Sequence, residues 1–340
     1  MAAVASGLTL SAGAAVGSGG LEEVAQRPSR DPALHSAAGV HTVGGCQVFP
    51  ADNWWNTRID KRPVYKHSKA IVARQAAGHD IHLDLGVTEE YYGIPVNVAP
   101  ADQPMLPLSF GVEGEDYGDE SDRGPVPIPP GAHIEGWRTG AVDPDEGDRH
   151  VITVQQGSCR LVELYKAERV YAGGQVVGWR ASAAARWDLG SNKLRPKYWT
   201  SADAAGLPIL PGLLSYDEAV SGRITHAVRF TLPSARAAFT VPARHCGPSG
   251  NTSSSLPSYG MRFRLKKGTD ISHYTGAARA IALAMKRYGL MYADQGSAMY
   301  VTGTADPRWE DALDQFDSHP LDGGRFEVVK PFGKIVTSRC

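Results

Sequence analysis

The chain lacks most of the features that declare a function outright. Its 340 residues contain no phosphate-binding glycine loop, no strand-turn-helix nucleophile elbow and no Cys-x-x-Cys metal box. A serine hydrolase of the elbow type is therefore set aside. Excess charge of either sign is also missing, the formal net charge being −1. Neutralising a phosphate backbone needs a basic surface, so the near-neutral charge argues against a nucleic-acid binder, and no nucleic-acid partner is expected. No apolar run approaches the roughly 20 residues of a helical membrane span.

What is present points to a β-rich protein. The 38 glycines and 23 prolines are spread along the chain rather than clustered. That pattern fits many short strands joined by turns. His150–Val154 and Arg160–Tyr165 read as strands of a hairpin around Gln155-Gln-Gly-Ser. Further strands are expected at Tyr92–Val98, Val176–Ala183, Arg186–Leu189, His226–Thr231, Ala238–Val241 and Met261–Lys266. Leu290–Ala293 and Ala298–Thr302 read as a second hairpin. His67–Ala77 has a helical cast. The strongest helix spans Thr275–Tyr288, with Ile281, Met285 and Tyr288 on one stripe and Gly289 as its stop. The expected fold is a single-domain β-sandwich or jelly roll with one docked helix near 275–288.

Residues 1–40 differ from the rest. Met1–Gly20 is uncharged and rich in Ala, Gly, Ser and Val, and Leu21–Val40 is polar and irregular. This reads as a signal remnant and lead-in ahead of one β-rich domain, 41–340. Cys46, Cys159, Cys246 and Cys340 form an even set without zinc spacing. Two disulfides in an oxidising, extracellular compartment are expected, with three connectivities open.

Candidate chemistry gathers around strand ends and one long loop, Trp199–Ile209, because loops carried on a rigid sheet commonly hold functional groups. This loop carries Trp199, Ser201 and Asp203. Asp148 and His150 share a face if the strand starts at Asp148, an arrangement that can fix the tautomer of a general base. The alternative is a turn aspartate beside a packed histidine. Glu163 shares its face with Leu161 and Tyr165, where apolar surroundings would raise its pKa and suit it to proton donation. On a half-exposed face it would be an ordinary surface carboxylate. His226 aligns with Val228 and Phe230, as a core histidine or the edge of a cleft. Arg229 points the other way, toward solvent or an anionic ligand such as a uronate. Arg262, Arg264 and Lys266 form an outward basic stripe on their strand.

The acidic run Glu113–Asp122 lacks the spacing of a calcium loop. A solvated loop is the preferred reading over a structural calcium site, and no cofactor is expected. Trp54, Trp55, Trp137 and Trp199 adjoin loops where an aromatic face can stack on a sugar.

At Asp148-Arg-His, Trp199–Ile209, Ile224–Thr231 and Tyr288–Ser297 the chain resembles a group of uncharacterised exported proteins of soil bacteria and actinobacteria. The resemblance runs from about Cys46 to Val329. It implies secretion and single-domain organisation, and it transfers no mechanism. The functional expectation is a secreted, monomeric carbohydrate-active enzyme that cleaves a polysaccharide, with Asp148, His150, Glu163, Asp203 and His226 as catalytic candidates. Carboxylate acid/base hydrolysis and His-assisted elimination both fit. Trp199, Ser201 and Arg229 would hold the glycan. The alternative is a non-catalytic glycan-binding or envelope protein.

Overall fold

Two segments are apolar on both alternating faces: Val151-Ile-Thr-Val and Leu161-Val-Glu-Leu. A strand with that pattern belongs to a sheet covered on both sides. The computed structural model describes residues 41–86, 93–137 and 147–340. The lead-in 1–40, and Tyr92 of the strand expected at Tyr92–Val98, lie outside them. The strands are β1 (Thr42–Val43), β2 (Cys46–Gln47), β3 (His82–Asp84), β4 (Val96–Ala99), β5 (Leu108–Phe110), β6 (Val151–Gln155), β7 (Arg160–Tyr165), β8 (Glu168–Ala172), β9 (Gln175–Ala181), β10 (Ala183–Asp188), β11 (Val228–Leu232), β12 (Arg262–Leu265), β13 (Leu290–Gln295), β14 (Tyr300–Thr302) and β15 (Phe326–Val328). The helices are α1 (Ser68–Gln75), α2 (Tyr216–Val220), α3 (Gly276–Arg287) and α4 (Glu310–Ser318). Strand exceeds helix, 28% against 16%, so the protein is mainly β.

The β6–β7 hairpin is antiparallel, as read from the sequence, and lies within a four-stranded sheet of order β10-β7-β6-β4. Ile152, Val154, Leu161 and Ala185 face the main core, while Val151, Val162, Leu164 and Ala184 face a second core. The main core is shared with a six-stranded sheet of order β15-β12-β13-β11-β14-β3. The second is shared with the three-stranded sheet β5-β9-β8 through Leu108, Phe110, Trp179 and Ala181. The central sheet is thus covered on both sides, which explains its apolar runs.

Helix α3 follows Thr275 and is halted at Gly289, where φ is +72° and an added Cβ would sit 2.2 Å from the Phe263 carbonyl. Ile281 and Met285 are fully buried, and the alanines around them let α3 pack closely against β12, α2 and α4. Cys46 pairs with Cys159 and Cys246 with Cys340, one of the three open connectivities. No helix of the described residues is long and apolar enough to cross a membrane.

Several local expectations are corrected. Leu290–Ala293 and Ala298–Thr302 do not pair, because β11 lies between β13 and β14. Ala238–Val241 contributes only isolated bridges at Phe239. Arg262 and Arg264 are buried rather than outward, because the segment from Trp54 to Arg62 and the end of α3 at Tyr288 lie over that face of β12. Their guanidinium groups turn to main-chain carbonyls, Arg262 Nη1 to Trp54 at 2.6 Å and Arg264 Nη1 to Ile59 at 2.6 Å. Trp55 is core, not a stacking platform.

Candidate functional site

The loop after β10, the turn before β6, the end of β13 and the Cys246–Cys340 disulfide enclose a cavity of about 700 Å3. That size suits a small ligand or a few sugar units. Asp148, His150 and Ser201 line it, so the structure brings three of the expected residues together. Tyr165, Asp294 and Glu120 line it as well.

Asp148 and His150 do not share a strand face. Arg149 has φ +47° and the extended strand begins only at Val151, so the alternation does not reach back to Asp148. Asp148 is exposed to the cavity. The carboxylate partner of His150 is Glu135, 2.6 Å from Nδ1, and Nε2 lies 3.0 Å from the Ala202 carbonyl. A carbonyl only accepts, so Nε2 carries a proton, and the short Nδ1 contact carries another. Burial opposes that charge, but Glu135 outweighs it and, with Asp148, holds His150 at about 9. An imidazolium so held donates at both nitrogens and is not a base at neutral pH. Glu135 was not found from sequence because no local pattern links it to His150.

Arg229 does not reach solvent. It is buried and clamps fully buried Asp203 in a fork, Nε to Oδ2 at 3.0 Å and Nη2 to Oδ1 at 3.1 Å. Its third arm reaches Thr302 Oγ1 at 2.8 Å. The Arg229–Asp203 pair lies behind the cavity wall, and Asp294 lies in front of it, 3.4 Å from Arg229 Nη2. Burial is the largest influence on Asp294 and the charge of Asp203 the next; together they raise it to about 7 against the pull of Arg229. In the hairpin expected over 290–302, Asp294 falls between the two strands. Its place on β13 beside Thr231 of β11 turns it to the cavity instead.

Glu163 is completely buried, between the central and six-stranded sheets, and does not line the cavity. Burial raises it to about 7, as its apolar face suggested, while the N–H groups of Ile209 and Leu210, at 2.8 to 3.0 Å, pull it down. It anchors the long loop and cannot meet a substrate. Ser201 Oγ is likewise turned inward, 2.6 Å from Leu207 O and 2.9 Å from the Asp203 N–H it accepts. Trp199 is half-buried beneath Arg195 and does not line the cavity. In the acidic loop, Glu113 and Glu115 pair with Lys166, and Asp122 with Arg195, so these carboxylates answer protein cations.

His226 is fully buried just before β11 and belongs to a different place, against Glu218 of α2 and His41. It does not line the cavity, so it does not join Asp148 in one site.

No known protein family, curated protein or solved structure matches the chain. The cavity's chemistry is set by the groups that line it. It offers an exposed carboxylate, a second carboxyl whose pKa burial and Asp203 raise, a fixed imidazolium and tyrosine faces. The two disulfides point to an oxidising setting.

Proposed function

We propose that the cavity is the active site of a secreted enzyme that hydrolyses glycosidic bonds in an extracellular polysaccharide. The observation that carries this reading is that two carboxyl groups in unlike surroundings line one cavity, exposed Asp148 and Asp294, the second pushed upward by burial and by the charge of Asp203. Two carboxyl groups in unlike environments are what acid/base cleavage of an acetal requires. Asp294 delivers its proton to the leaving oxygen. Asp148 takes the proton from the attacking water. His150 stays protonated and stabilises negative charge near the reacting bond. Tyr165 and Tyr117 offer faces for sugar stacking. Export belongs to the same proposal and is supported by the two disulfides, which suit an oxidising setting.

Elimination is the weaker branch, because His150 has no free lone pair to abstract a proton. The test is a panel of neutral and uronate-containing polysaccharides, read as released reducing ends. Wild-type protein releases them, and Asp294→Asn lowers the rate by about 10²–10⁴-fold. Asp148→Asn does the same. Retained binding with no product on any polymer would favour the non-catalytic reading. Full activity in Asp294→Asn would remove Asp294 as the acid.

A further inference from the structure

Away from the cavity, two histidines and one glutamate meet in the interior. His41 precedes β1, Glu218 lies on α2 and His226 precedes β11. Their relative exposures are 5%, 2% and 0%. One ligand atom from each can be chosen so that all lie within 4.8 Å of one another. Glu218 Oε2 is 3.3 Å from His226 Nε2 and 3.7 Å from His41 Nε2.

Hydrogen-bond accounting shows what this arrangement lacks. His226 Nδ1 lies 2.8 Å from the Ala227 carbonyl, which can only accept, so Nδ1 carries the proton. In the neutral ring, Nε2 then presents a lone pair to a carboxylate. A second proton on Nε2 would give a charge-assisted bond, and such bonds close to about 2.7–2.9 Å. The Glu135–His150 pair does close, to 2.6 Å, whereas this pair stays at 3.3 Å. His41 cannot supply the missing charge easily. Its ring stacks on His226 at 4.3 Å between centroids, and two stacked imidazolium rings repel. Nor does a hydrogen bond fix its tautomer, because His41 Nδ1 is buried without a partner.

We propose that His41, Glu218 and His226 bind one divalent transition-metal ion, with Zn2+ the cation that this N2O donor set fits. A cation answers both nitrogen lone pairs and the carboxylate at once. The spacing is close to what a metal needs: a tetrahedron with bonds of about 2.0–2.2 Å has edges of about 3.3–3.6 Å, and the two edges from Glu218 are 3.3 and 3.7 Å. Ala227 supplies the outer contact that orients the His226 ring, a common device around ligating histidines. Beside His41 is a small cavity of about 10 Å3, lined also by Ser215 and Thr304, whose buried hydroxyls have no partner. That volume is at the lower limit for one water, and the two hydroxyls are polar enough to hold it. Leu210 and Leu213 close the same cavity, so the metal ties β1, α2 and β11 together and does not meet substrate.

The test uses the full chain stripped with a chelator and dialysed, with Zn2+ alone as titrant. Calorimetry is expected to show one equivalent bound, the melting temperature to rise with Zn2+ and to fall again with chelator. Co2+ in place of Zn2+ is expected to give the intense visible bands of a tetrahedral site. Glu218→Gln and His41→Ala should each weaken Zn2+ at least tenfold and lose those bands. Failure of the wild-type protein to take up Zn2+ or Co2+ overturns the proposal. So does uptake that survives unchanged in His41→Ala, which keeps the test decisive if Glu218→Gln does not fold.

Discussion

The cavity wall and the sealed interior use the same pairing, a buried histidine against a glutamate, in opposite orientations. His150 gives Nδ1 to Glu135 and Nε2 to a main-chain carbonyl. His226 gives Nδ1 to a carbonyl and turns Nε2 to Glu218, which it shares with a second histidine. The first pair closes on a proton and becomes a fixed cation at the cavity. The second stays open by several tenths of an ångström and has room for a metal. The residue types alone do not set the role; the second contact of each ring does.

The largest effect is expected in the interior, at Glu163. Glu163→Leu leaves the N–H groups of Ile209 and Leu210 without their acceptor. At about 1–3 kcal/mol for each orphaned donor, denaturant unfolding should show a loss of about 2–6 kcal/mol. Glu163→Gln keeps one accepting oxygen and should lose far less. A similar loss in both would mean that accepting the N–H groups of Ile209 and Leu210 is not what Glu163 contributes.

Next is the proton on His150. Its folded pKa is raised, so its contribution to stability is complete below about 6.5 and is lost as pH rises through about 9. Glu135→Gln should cost on the order of 3 kcal/mol at pH 6 and much less above pH 9. A pH-independent cost would show that His150 is not protonated in the folded state.

Asp294 should give the smallest change in stability, of opposite sign. Its folded pKa is also raised, so its contribution is complete below about 3.8 and is lost as pH rises through about 7. Asp294→Asn removes an ionised carboxyl held next to Asp203. The shift alone corresponds to about 4 kcal/mol. The side chain is 29% exposed, however, and the variant gives up its charge contact with Arg229. It should therefore be more stable than wild type by about 1–2 kcal/mol above pH 7, with the difference closing in acid. Gaining stability while losing turnover would mark Asp294 as a residue kept for function.

Much of the scaffold was legible. The β6–β7 hairpin, helix α3 with its buried Ile281 and Met285, and an even set of paired cysteines follow from pattern and composition. The site was legible only in part. Asp148, His150 and Ser201 reach the cavity because the loop and strand ends that carry them converge. Alternation along a strand sorts residues by face, but it does not say which face is covered. That is why Arg229, Arg262 and Arg264 were expected outside and are found inside. Glu135 and Asp294 gain their roles from neighbours distant in the chain, Glu135 from His150 and Asp294 from Asp203 and Arg229. The partnership of His226 with His41 and Glu218 is likewise created by packing.

The functional account depends on one carboxyl at the cavity wall keeping its proton to near neutrality. An NMR titration of the protein with carbon-13-labelled aspartate measures this without a substrate. One side-chain carboxyl should titrate near 7, and its resonance should be absent from Asp294→Asn. An Asp294 resonance that titrates near the ordinary 3.8 would contradict the account.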